Sequence, residues 1–137
     1  MIEIVNLTKQ KVRNDLIVKI IEKTLAGEKA KKWDISVCFV GSLKIKELNK
    51  NFRGIDASTD VLSFAGLEIK GSKKKLGEIF VCLKEIENNA QKEKQSFQKM
   101  LNWALVHSTL HLLGFDHEST KKQADKMFEK EKKYLKN

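Results

Sequence analysis

The chain has 137 residues, 41% of them hydrophobic, and only two cysteines. That suits one domain, residues 1–137, with a real core, and excludes a disulfide-stapled scaffold. The net charge of +9 comes from 27 basic and 18 acidic residues; it favours an anionic partner, RNA foremost, although all but Arg13 and Arg53 of the basic residues are lysine, and a solvated lysine-rich surface explains the charge equally.

In chain order, residues 1–6 alternate Ile2 and Ile4 with Glu3 and reach Val5, the pattern of a short strand. Thr8 is the expected cap of a helix whose stripe is Val12, Leu16, Ile17, Ile20, Ile21 and Leu25, ended by Gly27. Lys29, Lys31 and Lys32 form a basic loop, read as solvated. Residues 34–40, DISVCFV, are rich in β-branched side chains and predict a strand. Ser42 is the expected cap of a second helix through Leu43, Ile45, Leu48 and Phe52, broken at Gly54. A polar loop follows, then a third strand over residues 61–66. Asp56 and Asp60 in that loop are read as turn caps or local pairs.

A basic turn over residues 70–75 predicts a hairpin into the fourth strand, residues 76–83. A polar helix over residues 84–94 leans on Ile86 and Ala90. Ser96 then caps a long helix over residues 97–113 that is apolar on nearly all sides and therefore central to the core. The last helix, about residues 119–135, presents Ala124, Met127, Phe128 and Tyr134 inward. Strands and helices in this mixed order, with one hairpin, predict an α+β fold: a mixed four-stranded sheet packed with about five helices. No apolar run reaches the roughly 18 residues of a membrane span, and the N-terminus lacks a secretory leader, so a cytoplasmic protein is expected.

The chemistry concentrates in HSTLHLLGFDH, residues 107–117, which holds all three histidines. His107 and His111 are four apart, so one helical turn stacks both imidazoles on one face. Gly114 can stop the helix in a left-handed conformation, and His117 can then swing back. Three neutral imidazoles with a fourth position open is the arrangement of one catalytic zinc ion. The spacing matches the metzincin frame, but Ser108 stands where those peptidases carry their glutamate base, and a hydroxyl is a poor base near neutral pH. Peptide hydrolysis is therefore disfavoured. A structural zinc would ordinarily have four protein ligands, often cysteine, whereas Cys38 and Cys82 fall on predicted strands as small buried thiols.

At this point the sequence resembles the YbeY family of bacterial endoribonucleases, the ribosomal RNA maturation factors. The family motif H-G-x-L-H-L-x-G-[YF]-D-H is matched by His107, Leu110, His111, Leu112, Gly114, Phe115, Asp116 and His117, with Ser108 in place of the usual glycine. A second block, N-x-x-[YF]-R-x-x-D-x-x-T-D-V-L-S-F, is matched by NKNFRGIDASTDVLSF, residues 49–64. A third, L-G-D-I, reads LGEI at residues 76–79.

The resemblance implies the same α+β fold and a zinc-dependent, single-strand-specific endoribonuclease. It also implies work on ribosomal RNA at the ribosome, notably the 3′ end of the small-subunit RNA, and in ribosome quality control. Arg53 is the expected catalytic residue, a two-pronged donor for the scissile phosphate. The bland alternative is a cation closing the C-terminal end of its helix. Asp116 is expected to orient His117 or a turn. Two rivals are a zinc hydrolase of peptides or small substrates and a non-catalytic ribosome-assembly factor with a structural zinc.

Overall fold

The computed structural model describes residues 1–66, 75–116, 118 and 120–136. In order the elements are β1 (Ile2–Asn6), α1 (Asn14–Gly27), β2 (Asp34–Phe39), α2 (Ser42–Arg53), β3 (Val61–Ala65), β4 (Lys75–Val81), α3 (Leu83–Glu93), α4 (Phe97–Leu112) and α5 (Lys121–Leu135). The four strands form one mixed sheet in the order β1-β2-β4-β3. β1, β2 and β4 run parallel, and β3 pairs antiparallel with β4. The expected α+β architecture, with a mixed four-stranded sheet and five helices, is what the chain adopts. The tip of the β3–β4 connection, residues 67–74, lies outside the described residues.

Period-two alternation divides the core. Ile35, Val37 and Phe39 of β2 and Ile79 and Val81 of β4 face α1, α3 and α4, where Ile17, Ile21, Ile86, Leu101, Ala104 and Leu105 meet them. On the opposite face Cys38, Phe64 and Phe80 pack against Ile45 and Leu48 of α2. A third cluster joins Val106 and Leu110 of α4 to Met127 and Tyr134 of α5. Helix α4 thus touches the sheet in front and α5 behind, as its all-round apolar sequence requires.

One glycine sets how closely α4 lies on the sheet. A Cβ on Gly77 of β4 would overlap the Phe64 carbonyl oxygen and stand 2.6 Å from Leu112 Cδ2. No other residue type allows that approach.

Capping hydroxyls behave unevenly. Ser96 caps α4 as expected, its side chain accepting the Lys99 amide at 3.1 Å. Thr8 does not cap α1: its hydroxyl donates to Asn6 Oδ1 at 2.7 Å and accepts the Gln10 amide at 3.2 Å, a self-contained turn. α1 starts only at Asn14. Ser42 opens α2 behind Gly41, with its Oγ 3.6 Å from the Cys82 sulfur. Leu43 and Phe52 of α2, assigned to its apolar stripe, are exposed, and Ile45 and Asn49 are the buried pair. No helix among the described residues is long and apolar enough to cross a membrane.

Candidate metal and phosphate site

His107 and His111 stand on successive turns of α4, and their ring centroids are 4.5 Å apart, edge to face. Trp103, one turn earlier, stacks on His107 at 4.6 Å. These three, at positions four apart, form one stripe facing an open cleft of about 310 Å³. The far wall is the end of α2 with Asn49 and Arg53, the loop after it with Thr59 and Asp60, and the start of β3 with Leu62 and Ser63. The second sequence block and the histidine motif, distant along the chain, therefore meet across one cleft.

The end of α4 is built by its glycine. Gly114 has φ +99°, its amide donates to the His111 carbonyl at 3.0 Å, and the Phe115 amide donates to the Leu110 carbonyl at 3.0 Å. This paired closure turns the chain at Gly114, three residues past His111. Asp116 Oδ1 then accepts the Glu118 amide at 2.9 Å, which gives Asp116 a turn-forming role. His117 lies outside the described residues.

Arg53 ends α2, where Gly54 takes a left-handed φ of +72°. Its guanidinium leans across to β3 rather than over its own helix end: Nη2 donates to the Ser63 carbonyl at 3.1 Å. The same group lies 5.9 Å from the centre of the Phe64 ring. Asn49 supports this wall from inside, donating to the Ala57 carbonyl at 2.9 Å. Asp60 is held by Asn89 Nδ2 at 3.4 Å and by Thr59 Oγ1 at 3.3 Å, and its backbone carbonyl accepts the Cys82 amide at 2.9 Å. The local pairing expected of Asp60 is present, and its residue also faces the cleft. Asp56 is exposed and 4.0 Å from Lys46.

Behind His107 stands a residue that the sequence reading passed over. Glu131 of α5 is 5% exposed, and its Oε2 lies 3.5 Å from His107 Nδ1. The inner stripe of α5 is Met127, Glu131 and Tyr134, spaced by four and three. Phe128, expected inside, is 59% exposed with the Lys132 ammonium 5.3 Å from its ring centre. Positions 127, 131 and 134 follow the helical period and 128 falls a third of a turn away. A charged residue on an otherwise buried stripe was the available signal.

Two imidazoles on one cleft-facing stripe, the first with a carboxylate behind it, are donors of the kind a borderline-soft divalent ion takes, and among the described residues no third ligating side chain joins them. Position 108 is a buried serine, so no carboxylate follows the first histidine. The cysteines lie elsewhere. Cys38 and Cys82 belong to the α2 side of the sheet, Cys82 one residue past β4 and not on it. Burial, and then the Glu78 carboxylate, push the Cys38 thiol above its ordinary range, away from the thiolate a metal needs.

A family model described as endoribonuclease YbeY matches residues 3–137. A protein of Thermosipho melanesiensis with that name is 34% identical over 128 residues, 93% of this chain and 90% of its own length. One of the same name from Thermotoga maritima is 44% identical over 101 residues, 74% of this chain and 65% of its own length. A Thermotoga maritima protein solved in solution is 37% identical, with a TM-score of 0.67 over 98% of this chain and 87% of that one.

Proposed function

Because this chain belongs to the YbeY family of endoribonucleases, we propose that it is a metal-dependent endoribonuclease that cuts single-stranded ribosomal RNA during ribosome maturation. One observation carries the reading: His107, His111 and Arg53 open on one cleft. In this proposal His107, His111 and His117 hold one zinc ion. A bound zinc supplies Lewis-acid charge toward a phosphoryl oxygen and acidifies water beside it.

The chain's own side chains then have separate duties. The Ser63 carbonyl takes one hydrogen bond from Arg53 and fixes the guanidinium plane. The remaining N–H groups hold the scissile phosphate and meet the charge that gathers on its oxygens in the transition state. Trp103 lies flat on His107 and limits rotation of that ring. The surplus of positive charge supports attraction to a polyanion. A ribosomal substrate puts the protein in the cytoplasm, with the ribosome and its RNA as partners.

The test uses purified full-length protein, zinc, and three substrates: single-stranded RNA, a duplex of the same sequence and a peptide library. Cleavage of the single strand alone is expected. Arg53→Lys and Arg53→Ala should keep near-normal melting and full zinc while cleavage falls about a hundredfold or more. A Lys variant that cuts like the parent would return Arg53 to helix capping, since Lys meets that need and fails at a bidentate phosphate. Peptide cleavage, or no cleavage with tight ribosome binding, would replace the nuclease reading.

A further inference from the structure

Glu131 presents a problem that the nuclease reading does not address. An ionised carboxylate taken from water costs several kcal/mol unless something offsets it. This one is 5% exposed. It sits on α5 between Met127 and Tyr134, both buried in the apolar seam with Val106 and Leu110 of α4. A leucine would suit that seam better by packing alone. Among the described residues its polar neighbour is His107, with Nδ1 3.5 Å from Oε2.

The two side chains seal each other. His107 is 12% exposed and Glu131 7% by side chain, and Nδ1 itself is buried. His107 also lines the cleft, with Trp103 and His111. A neutral imidazole carries one proton, on either nitrogen. A carboxylate within reach of Nδ1 favours the proton there and leaves the lone pair on Nε2.

We propose that Glu131 is a positioning residue: it fixes the Nδ1–H tautomer and ring orientation of His107, so that Nε2 is presented ready to bind the metal. The inference rests on the metal-site reading above. It makes α5 part of the site although the helix contributes no group to the cleft wall.

The experiment compares the full chain with Glu131→Leu, which fills the space without an acceptor, and Glu131→Gln, which keeps an amide oxygen as acceptor. In the metal-free protein, ¹⁵N shifts of the imidazoles report the tautomer directly, and there are only three histidines to assign. The parent and Glu131→Gln should show His107 protonated at Nδ1, and Glu131→Leu should move toward Nε2–H. Zinc affinity, read by competition with a chromophoric chelator, should fall roughly 10–100-fold in Glu131→Leu and less in Glu131→Gln. Metal-free Glu131→Leu should melt somewhat below the parent, because buried His107 Nδ1 loses its carboxylate neighbour, and Glu131→Gln, which keeps an acceptor, should melt close to the parent, separating the effect on zinc from folding. The proposal is overturned if Glu131→Leu keeps either the tautomer or the affinity of the parent. It is also overturned if the parent carries its proton on Nε2, a result that stands even should the leucine variant fail to fold. A parent that binds no zinc at all removes the metal reading together with this inference, whereas a parent and a leucine variant of equal affinity remove this inference alone.

Discussion

Helix α5 has a carboxylate at each of two seams, met at one and supplied at the other, and the seams are built differently. Against α1, Glu28 accepts from both the Tyr134 hydroxyl and the Lys130 ammonium, the latter at 2.9 Å, and the Tyr134 ring lies over Gly27. Burial alone would raise the Glu28 carboxyl, but those two donors outweigh it and hold it below its ordinary range. Burial, then Glu28, push the Tyr134 phenol above its own range. Every strong donor there is answered within the seam. Against α4, Glu131 faces an imidazole that also lines the cleft. The first seam fastens the C-terminal helix, and the second connects it to chemistry. Burial of a charged group alone does not distinguish such roles; the surroundings of its partner do.

The largest effect should come from breaking the second seam at its cleft side. His107→Ala removes one proposed ligand, and elemental analysis of protein purified without added metal should find zinc occupancy sharply reduced. A full equivalent in the variant would defeat the three-histidine set. The same change orphans Glu131, so the metal-free variant should also lose about 1–3 kcal/mol in denaturant unfolding.

Next is Gly27→Ala, aimed at the first seam. Its Cβ would overlap the Tyr134 ring, which is buried and has little room to retreat. Unfolding stability should drop by about 1–3 kcal/mol, as overpacking does, while zinc content stays that of the parent. A matching loss of zinc would mean that the two seams are not separable.

The smallest is Tyr134→Phe, which removes one donor to Glu28 and leaves Lys130 in place. About 1 kcal/mol should be lost near neutral pH. Because the Glu28 carboxyl is depressed in the folded state, its contribution is complete above the ordinary carboxyl range and is lost as pH falls through the folded value. Loss of the phenol donor brings that value back toward ordinary. Parent and variant stabilities should therefore converge as pH drops into the acid range; a gap that stays constant would show that Glu28 is not the group responsible.

Much of this molecule was legible in the sequence because single-element periodicity governs it. Alternation in β2, the all-round apolar surface of α4, the Ser96 cap and the Gly114 turn are local properties. The failures have tertiary causes. The hydroxyl of Thr8 is satisfied by Asn6 and Gln10, and that of Ser42 lies against Cys82, so neither is spent on a helix end. Phe128, expected inside, is exposed and Glu131 is buried because the seam selects positions by helical phase and tolerates a carboxylate where an imidazole meets it. Asp60 reads as a turn or local-pairing residue and does pair locally with Thr59, yet chain folding also brings it to the cleft that His107 lines. That convergence of the α2–β3 loop with α4 depends on sheet order, which no local pattern encodes.

The close contact at Gly77 constrains more than the distance between helix and sheet. β4 is the strand on which the pairing partners β2 and β3 both depend. A slip by one position would bring Leu76 or Glu78 beneath Leu112, and a slip by two would bring Lys75 or Ile79. Each carries a Cβ that would meet the Phe64 carbonyl of β3 and push the Leu112 side chain aside. Strand registers that backbone hydrogen bonding alone would tolerate are thereby rejected by the helix lying across them. The histidine-bearing helix acts as a proofreader of the sheet, and a correctly paired sheet is the condition for the end of that helix to lie down at all.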